Sequence, residues 1–411
     1  MAFVETNRPE LPNGWQFRRL LEIADVVDSL HQTPKYVETG VPMVRVTDIK
    51  PGFLRLENTL RVPEEVFADF TRNARPQRGD IVFSRVGSYG ISSFVNANDL
   101  FCLGQNTALI RPKINPRYIY SALQSSLLRQ QIESAVVGST QKTISLKSIR
   151  ELEIPVCEDG ELNAIASVLG ALDDKIELNR RMNETLEALA RSLFKSWFVE
   201  TTQSALPKGW RYATIAELCE INSWTLGKGD ELDRIEYVEI SEVMRGNIAN
   251  IQSYARGEEP SRARRRLRHG DTVLSTVRPD RGAYFLCLNP SPNLIGSTGF
   301  AVLTPKKAPW SFIHAAMTQT DVFEYLGQQA DGGAYPAVRS EIIGALEVPW
   351  PSKPELVEVF HRACAPLYER AELNRQESRT LAALRDALLP KLLSGELRVP
   401  AAAGKLAEAT A

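Results

Sequence analysis

The stretch LPNGWQFRRLLEIADVV at Leu11–Val27 returns 195 residues later as LPKGWRYATIAELCEIN at Leu206–Asn222. The Leu-Pro-x-Gly-Trp pentad is kept at every fixed position, and that recurrence decides how the rest of the chain is read. Outward from it, VPMVRVTDI (Val41–Ile49) parallels IEYVEISEV (Ile235–Val243), and RGDIVFSRV (Arg78–Val86) parallels HGDTVLSTV (His269–Val277). NTALIRPK (Asn106–Lys113) parallels GFAVLTPK (Gly299–Lys306), IRELEIPV (Ile149–Val156) parallels IIGALEVPW (Ile342–Trp350), and DKIELNR (Asp174–Arg180) parallels ERAELNR (Glu369–Arg375). The chain is a tandem duplication.

Each half opens with about 150 residues of short β-like runs, a few helices and many Gly, Pro and Asn turns. Each then closes with a long helix. In the first, about Glu161 to Phe198, residues Ile165, Leu169, Leu172, Ile176, Asn179, Asn183, Leu186, Ala190, Leu193 and Trp197 step by four and three, an a/d heptad seam. In the second, about Glu355 to Leu393, the seam is Phe360, Cys364, Leu367, Ala371, Asn374, Leu381, Leu388 and Leu392. Pro366 is expected to kink or delay this helix and Pro390 to end or bend it. Asn179 and Asn374 fall at equivalent seam positions. Either they fix register at a cost in stability, or they face solvent at the edge of a looser bundle. Neither stripe can be buried alone, so the helices are expected to pair antiparallel, as a spacer about 57 Å long between the two mixed domains of a dumbbell.

Composition limits the alternatives. The 411 residues suffice for two or three compact units, and 43% hydrophobic with 24% charged residues is ordinary globular composition. No apolar run approaches a membrane span, and the N-terminus lacks the pattern of a secretion signal. Five scattered cysteines without a CxxC pair, and four scattered histidines, argue for a reducing cytosol and against a disulfide framework or a metal centre. The balance of 49 basic against 50 acidic residues is not that of a simple nucleic-acid-coating protein. Locally, however, RGEEPSRARRRLR (Arg256–Arg268) packs six arginines into thirteen residues, a run that as readily forms a solvated loop.

Two related but diverged domains at a set separation suit the reading of two short patches on one long polymer, DNA half-sites above all. The scaffold residues repeat far better than the surface residues. Ser84-Arg85 becomes Ser275-Thr276, and Gly138-Ser139-Thr140-Gln141-Lys142 becomes Gly332-Gly333-Ala334-Tyr335-Pro336.

With its LPxGW start, GD-(I/T)-V strand, I-x-x-L-x-(I/V)-P close and leucine-rich helix after each domain, the chain resembles the specificity subunit of type I restriction–modification systems from Leu11 to about Arg398. Its junctions PVCEDGELNAI and PWPSKPELVEV lack the Gln usual in that family. The resemblance implies an α+β fold with target recognition domains at 1–157 and 201–352, spacer helices at 158–200 and 353–397 forming an antiparallel coiled coil, and a tail at 398–411. It implies a non-catalytic guide that binds a bipartite, gapped site in double-stranded DNA, one half per domain. It further implies docking of two methyltransferase subunits and recruitment of restriction/translocation subunits in the cytoplasm, away from any membrane. S-adenosylmethionine, ATP and magnesium then belong to the partners and no cofactor or metal to this chain. The recognition subunit of a type II enzyme that cuts on both sides of its site, and a scaffold that binds proteins instead of DNA, are the competing classes.

The chain offers no chemistry of its own at sequence level: no GxxxxGK[ST] phosphate loop and no Asp/Asn-Pro-Pro-aromatic tetrad. Arg reads guanine, Asn or Gln reads adenine, and hydroxyls hold phosphates. By residue type and loop position, the candidate DNA contacts are Arg45, Arg78, Arg85, Ser88, Tyr89, Gln105, Asn106, Gln141 and Lys142 in the first domain. In the second they are Arg262, Arg264, Arg265, Arg266, Arg278, Arg281, Tyr335 and Arg339. Trp15 and Trp210, tempting as stacking platforms, belong to the repeated scaffold and are expected in the core.

Overall fold

Each copy of the repeated pentad is a tight turn. The Trp15 N–H donates to the Pro12 carbonyl at 3.0 Å and that of Trp210 to Pro207 at 2.9 Å. Gly14 and Gly209 take φ of +84° and +85°, which glycine adopts without the steric penalty of a Cβ. The strand leaving each turn pairs antiparallel with the end of its own domain, Gln16–Arg19 with Glu153–Val156 and Trp210–Thr214 with Glu347–Pro351. The opening and closing motifs of each repeat are therefore one strap. Trp15 is buried and donates its Nε1–H to Glu161 at 3.3 Å, while Trp210 packs on Phe198; both are scaffold.

The computed structural model describes residues 10–138, 142–227, 229–333 and 335–399. Its contacts fall into two units: unit 1, residues up to Leu178 with those from Glu377 on, and unit 2, Asn179–Gln376. Unit 1 is built on an antiparallel sheet of β1 (Ala24–Asp28), β2 (Ile81–Ser84), β3 (Ser92–Phe94) and β4 (Thr107–Pro112), in the order β1-β4-β2-β3. Unit 2 repeats it with β5 (Cys219–Ile221), β6 (Asp271–Ser275), β7 (Tyr284–Cys287) and β8 (Phe300–Pro305), in the order β5-β8-β6-β7. The central strands β2 and β6 are buried along their whole length, as apolar runs covered on both faces must be. A second sheet accompanies each. In unit 1 it joins Leu60–Val62, Val41–Val44 and Cys102–Leu103. In unit 2 it joins Gln252–Ala255, Arg234–Val238, Leu294–Ser297 and a fourth strand, Ala263–Arg266. The arginine run is thus an edge strand with no counterpart among the described residues of unit 1, and only its flanks are loop.

Helix α1 spans Asp159–Phe194 and α2 spans Glu355–Leu393. Both feed the cores of the domains. Leu162, Ile165 and Leu169 of α1, with Leu389, Leu392 and Leu393 of α2, are buried in unit 1. Phe194 of α1, with Val357, Phe360 and Cys364 of α2, is buried in unit 2. Within each unit the segments run antiparallel: Asp173 pairs with Arg385 in unit 1, and Asn183 with Ala371 in unit 2. Of the other expected seam residues, Leu172, Ile176, Leu186, Leu193, Leu367, Leu381 and Leu388 are half-buried.

Two details depart from expectation, and a third decides between the two readings of the seam asparagines. Pro366 and Pro390 lie inside α2 without interrupting it; both are exposed, so the backbone bonds their missing N–H groups forgo face water. Helix α1 widens after Phe194 into a π turn, Lys195–Val199. A strict 3.5-residue seam drifts on a 3.6-residue helix, and the wide turn shifts the phase so that Phe198 meets Phe312 at 5.0 Å and Phe360 at 5.4 Å while Trp197 still meets Phe360 at 5.9 Å. Finally, Asn179 and Asn374 are 0% and 1% exposed, which excludes the solvent-facing alternative. Asn179 Nδ2 donates to the Asn374 carbonyl at 3.3 Å and Asn374 Nδ2 to Asn183 Oδ1 at 2.8 Å, a polar rung that only one register satisfies. No helix among the described residues is long and apolar enough to cross a membrane.

Candidate nucleic-acid interface

In both units the loop after the central strand is stitched to a second loop in the same way. In unit 1, Gly87 N donates to Lys142 O at 3.1 Å, Ile144 N to Arg85 O at 2.9 Å, and Val137 and Thr143 exchange both backbone bonds. In unit 2, Arg278 N donates to Pro336 O at 2.8 Å, Val338 N to Thr276 O at 2.8 Å, and Asp331 and Ala337 exchange both. The frames correspond residue for residue, while the side chains mounted on them differ.

Unit 1 gathers most of its candidates here. Ser88 is exposed at the loop tip, and Ser84 Oγ donates to its carbonyl, pinning the base of the loop. Tyr89 donates to Glu133 at 2.8 Å, and Lys142 Nζ lies 3.4 Å from the Tyr89 hydroxyl. Asn106, in the left-handed region at φ +65°, accepts from Arg85 N at 2.9 Å, and its exposed neighbour Gln105 donates to Thr33 at 3.1 Å. Arg85 itself is turned inward: its side chain is 12% exposed, paired with Asp28 and bonded to the Ile144 carbonyl. Arg45 is held by both oxygens of Asp48 at 3.0 Å. These two guanidiniums are engaged by carboxylates inside the unit. Arg78 stands apart, exposed at the opposite end of β2, where Gln77, Asn96, Asn98, Pro116 and Arg117 line a groove of about 430 Å3. Gln141 lies outside the described residues.

Unit 2 places Arg278, exposed Arg281 and Tyr335 on the two stitched loops, with the Arg278 guanidinium 5.1 Å above the Tyr335 ring. Arg339 is exposed where the second loop enters the helix Ser340–Ala345. The arginine strand reaches the same region, since Thr298 N donates to Arg262 O at 2.8 Å and Thr276 N to Gly299 O at 2.9 Å. Its members divide by partner. Arg264 pairs with Glu259, which also holds Arg256. Arg266 pairs with Asp230 and lies 4.0 Å over Trp224, whose ring Arg268 also covers at 4.7 Å. Arg262 and Arg265 form no ion pair among the described residues, and burial pushes the Arg265 pKa down. A partly desolvated cation lacking a carboxylate is a ready phosphate ligand.

The partners that restrain these cations, Asp28, Asp48, Glu259, Asp230 and Trp224, and Glu133, which holds Tyr89, have no signal in the sequence. Asp28 and Arg85 are 57 positions apart, and only the pairing of β1 through β4 to β2 brings them together.

The sequence model of a family described as Type I restriction modification DNA specificity domain matches residues 12–188. The MjaIX type I restriction enzyme specificity subunit of Methanocaldococcus jannaschii is 21% identical, over 97% of this chain and 96% of its own length. The HindI specificity subunit of Haemophilus influenzae is 24% identical, over 78% of this chain and 87% of its own. The crystal structure of the type I restriction–modification S subunit from M. genitalium matches with a TM-score of 0.52 at 18% identity, covering 95% of this chain and 98% of that one, so the two share a fold. With the repeat visible in its pentads and again in its sheets, the chain carries a match to the type I restriction modification DNA specificity domain over residues 12–188 and is similar nearly end to end to specificity subunits of type I restriction–modification systems.

Proposed function

We propose that this chain is the DNA-reading guide of a type I restriction–modification complex. Each unit reads one half of a bipartite, gapped site in double-stranded DNA, and the chemistry lies with methyltransferase and restriction/translocation subunits. S-adenosylmethionine, ATP and magnesium are theirs, and this chain carries no reaction. The observation that carries this reading is the identical loop frame on two copies of one sheet, dressed with different side chains. A frame kept while its surface diverges is what two readers of different half-sites need.

The long helices support the docking role. Leu178 and Leu384 in unit 1 are 51% and 46% exposed, and Leu189 and Leu373 in unit 2 are 48% and 57% exposed. Leu178 and Leu373, like Leu189 and Leu384, are related by the 195-residue offset of the repeat. Each unit thus presents one equivalent leucine pair, two in all, which fits two copies of one methyltransferase subunit docking by an apolar helix face.

The test is adenine methylation across the host genome with and without this gene. One gapped motif should lose methylation in the deletion strain, and replacing residues 1–157 with the corresponding domain of a relative should alter only one half of it. Methylation unchanged by the deletion, together with no methyltransferase co-purifying with the chain, overturns the reading.

A further inference from the structure

The two stitched loops differ at one point that the shared frame makes conspicuous. Gly87 in unit 1 and Arg278 in unit 2 occupy the same place: each follows the bridge residue, Val86 or Val277, and each donates its N–H to the second loop. Both have positive φ, +70° for Gly87 and +47° for Arg278. The frame therefore asks for a left-handed residue. Glycine supplies it freely, whereas a side chain there costs about 1–2 kcal/mol. Pro279 follows directly, and proline further restricts the residue before it. Unit 2 keeps arginine where the backbone favours glycine, and such retained strain marks a side chain with a task.

The surroundings define the task. Tyr335, 75% exposed, comes from the second loop and carries the Arg278 guanidinium 5.1 Å above its ring. A stacked guanidinium keeps its plane and presents parallel donors in a fixed fork. In the major groove, guanine alone offers two acceptors, O6 and N7, side by side to such a fork. In unit 1 the arrangement is exchanged. The aromatic residue, Tyr89, is on the first loop and the cation, Lys142, on the second, and an ammonium is a point charge without a fork.

Resting on the guide reading above, we propose that Arg278, oriented by Tyr335, reads a guanine in the half-site of unit 2, and that Gly87 leaves unit 1 without this reader. Arg278→Gly and Arg278→Lys, each expressed in the host with its natural partner subunits, test it by the genomic methylation motif. In both variants one guanine of one half should become degenerate, with discrimination at that position falling about 10- to 100-fold, while the gap and the other half are kept. Arg278→Gly restores the residue the frame favours, so its chain should unfold in urea no earlier than the unaltered one, separating a reading defect from a folding defect. In duplexes carrying the motif, 7-deazaguanine at that position removes N7; it should weaken binding by the unaltered complex and not by the Arg278→Gly complex. An unchanged motif in Arg278→Gly, relaxation at a base other than guanine, or relaxation in both halves overturns the proposal. Absence of any gapped motif in the unaltered strain sinks the guide reading, and this inference with it.

Discussion

Aspartates that follow the glycine of a repeated turn differ in the company they keep. Asp80 accepts from Gln77 N at 3.0 Å and holds Arg111 through both oxygens, at 2.9 and 2.7 Å. Asp271 accepts from Arg268 N at 2.7 Å, but the strand position that carries Arg111 in unit 1 carries Thr304 in unit 2. Burial accordingly pushes the Asp271 pKa up to about 6 from 3.8. A carboxyl whose folded pKa is raised binds its proton more tightly in the native state. Its charge therefore costs stability at neutral pH, and that cost is relieved as pH falls from about 7 toward 4. The gap corresponds to at most about 3 kcal/mol. Asp271→Asn should leave the protein as stable or more stable at pH 7.5 and flatten its stability between pH 4.5 and 7.5 in urea unfolding. Asp80→Asn, which strips Arg111 of its partner, should destabilise by about 1–3 kcal/mol at pH 7.5. The turn is legible in the Gly-Asp pair of each repeat; the unequal charge balance is not, because it depends on which strand lies alongside.

At the scale of elements, the heptad spacing locates both long helices to within a few residues and marks Asn179 and Asn374 as opposed. It does not reveal the charges on the flank of the seam. Glu187 is 8% exposed and pairs with Arg375, while burial raises its pKa against the pull of that guanidinium. Taking one partner from a buried pair leaves an uncompensated charge. Arg375→Met should therefore cost about 3–5 kcal/mol at pH 7.5 by urea unfolding, and adding Glu187→Gln should recover much of it. A double variant no better than the single would show that Arg375 acts through packing alone. The π turn after Phe194 is likewise beyond a seam count, since it arises where four aromatic rings, Phe194, Phe198, Phe312 and Phe360, meet edge to face.

For the molecule as a whole, the duplication is legible in the amino-acid sequence alone, because a repeat needs only comparison of the chain with itself. Two copies of one loop frame and two equivalent sets of exposed leucines follow from it, and each can be altered separately. Leu189→Asp with Leu373→Asp in unit 2 should reduce co-purifying methyltransferase from two copies per chain to one, read by native mass spectrometry, without reducing urea stability. Retention of two copies would place the docking elsewhere. DNA affinity of the assembled complex should fall steeply with salt, and Arg265→Gln should lower the slope of log affinity against log salt by about 1 without changing the motif. Under the guide reading proposed above, which loop residues would touch bases is the least legible feature. Residue type selects the candidates, and type does not distinguish Arg85, bound to Asp28, from Arg265, which pairs with no carboxylate among the described residues.

Unit 2 is one unbroken stretch, Asn179–Gln376, whereas unit 1 is closed by residues from the far end of the chain. Leu389, Leu392 and Leu393 line its core, Gly395 lies against Pro12 and Trp15, and Arg398 grips Glu161. On the ribosome, the domain translated second can therefore finish folding first, while the one translated first waits with an open apolar wall for the segment from Glu377 on. A stop codon between Gln376 and Leu389 would then strip unit 1 of part of its core while leaving every residue of unit 2 translated.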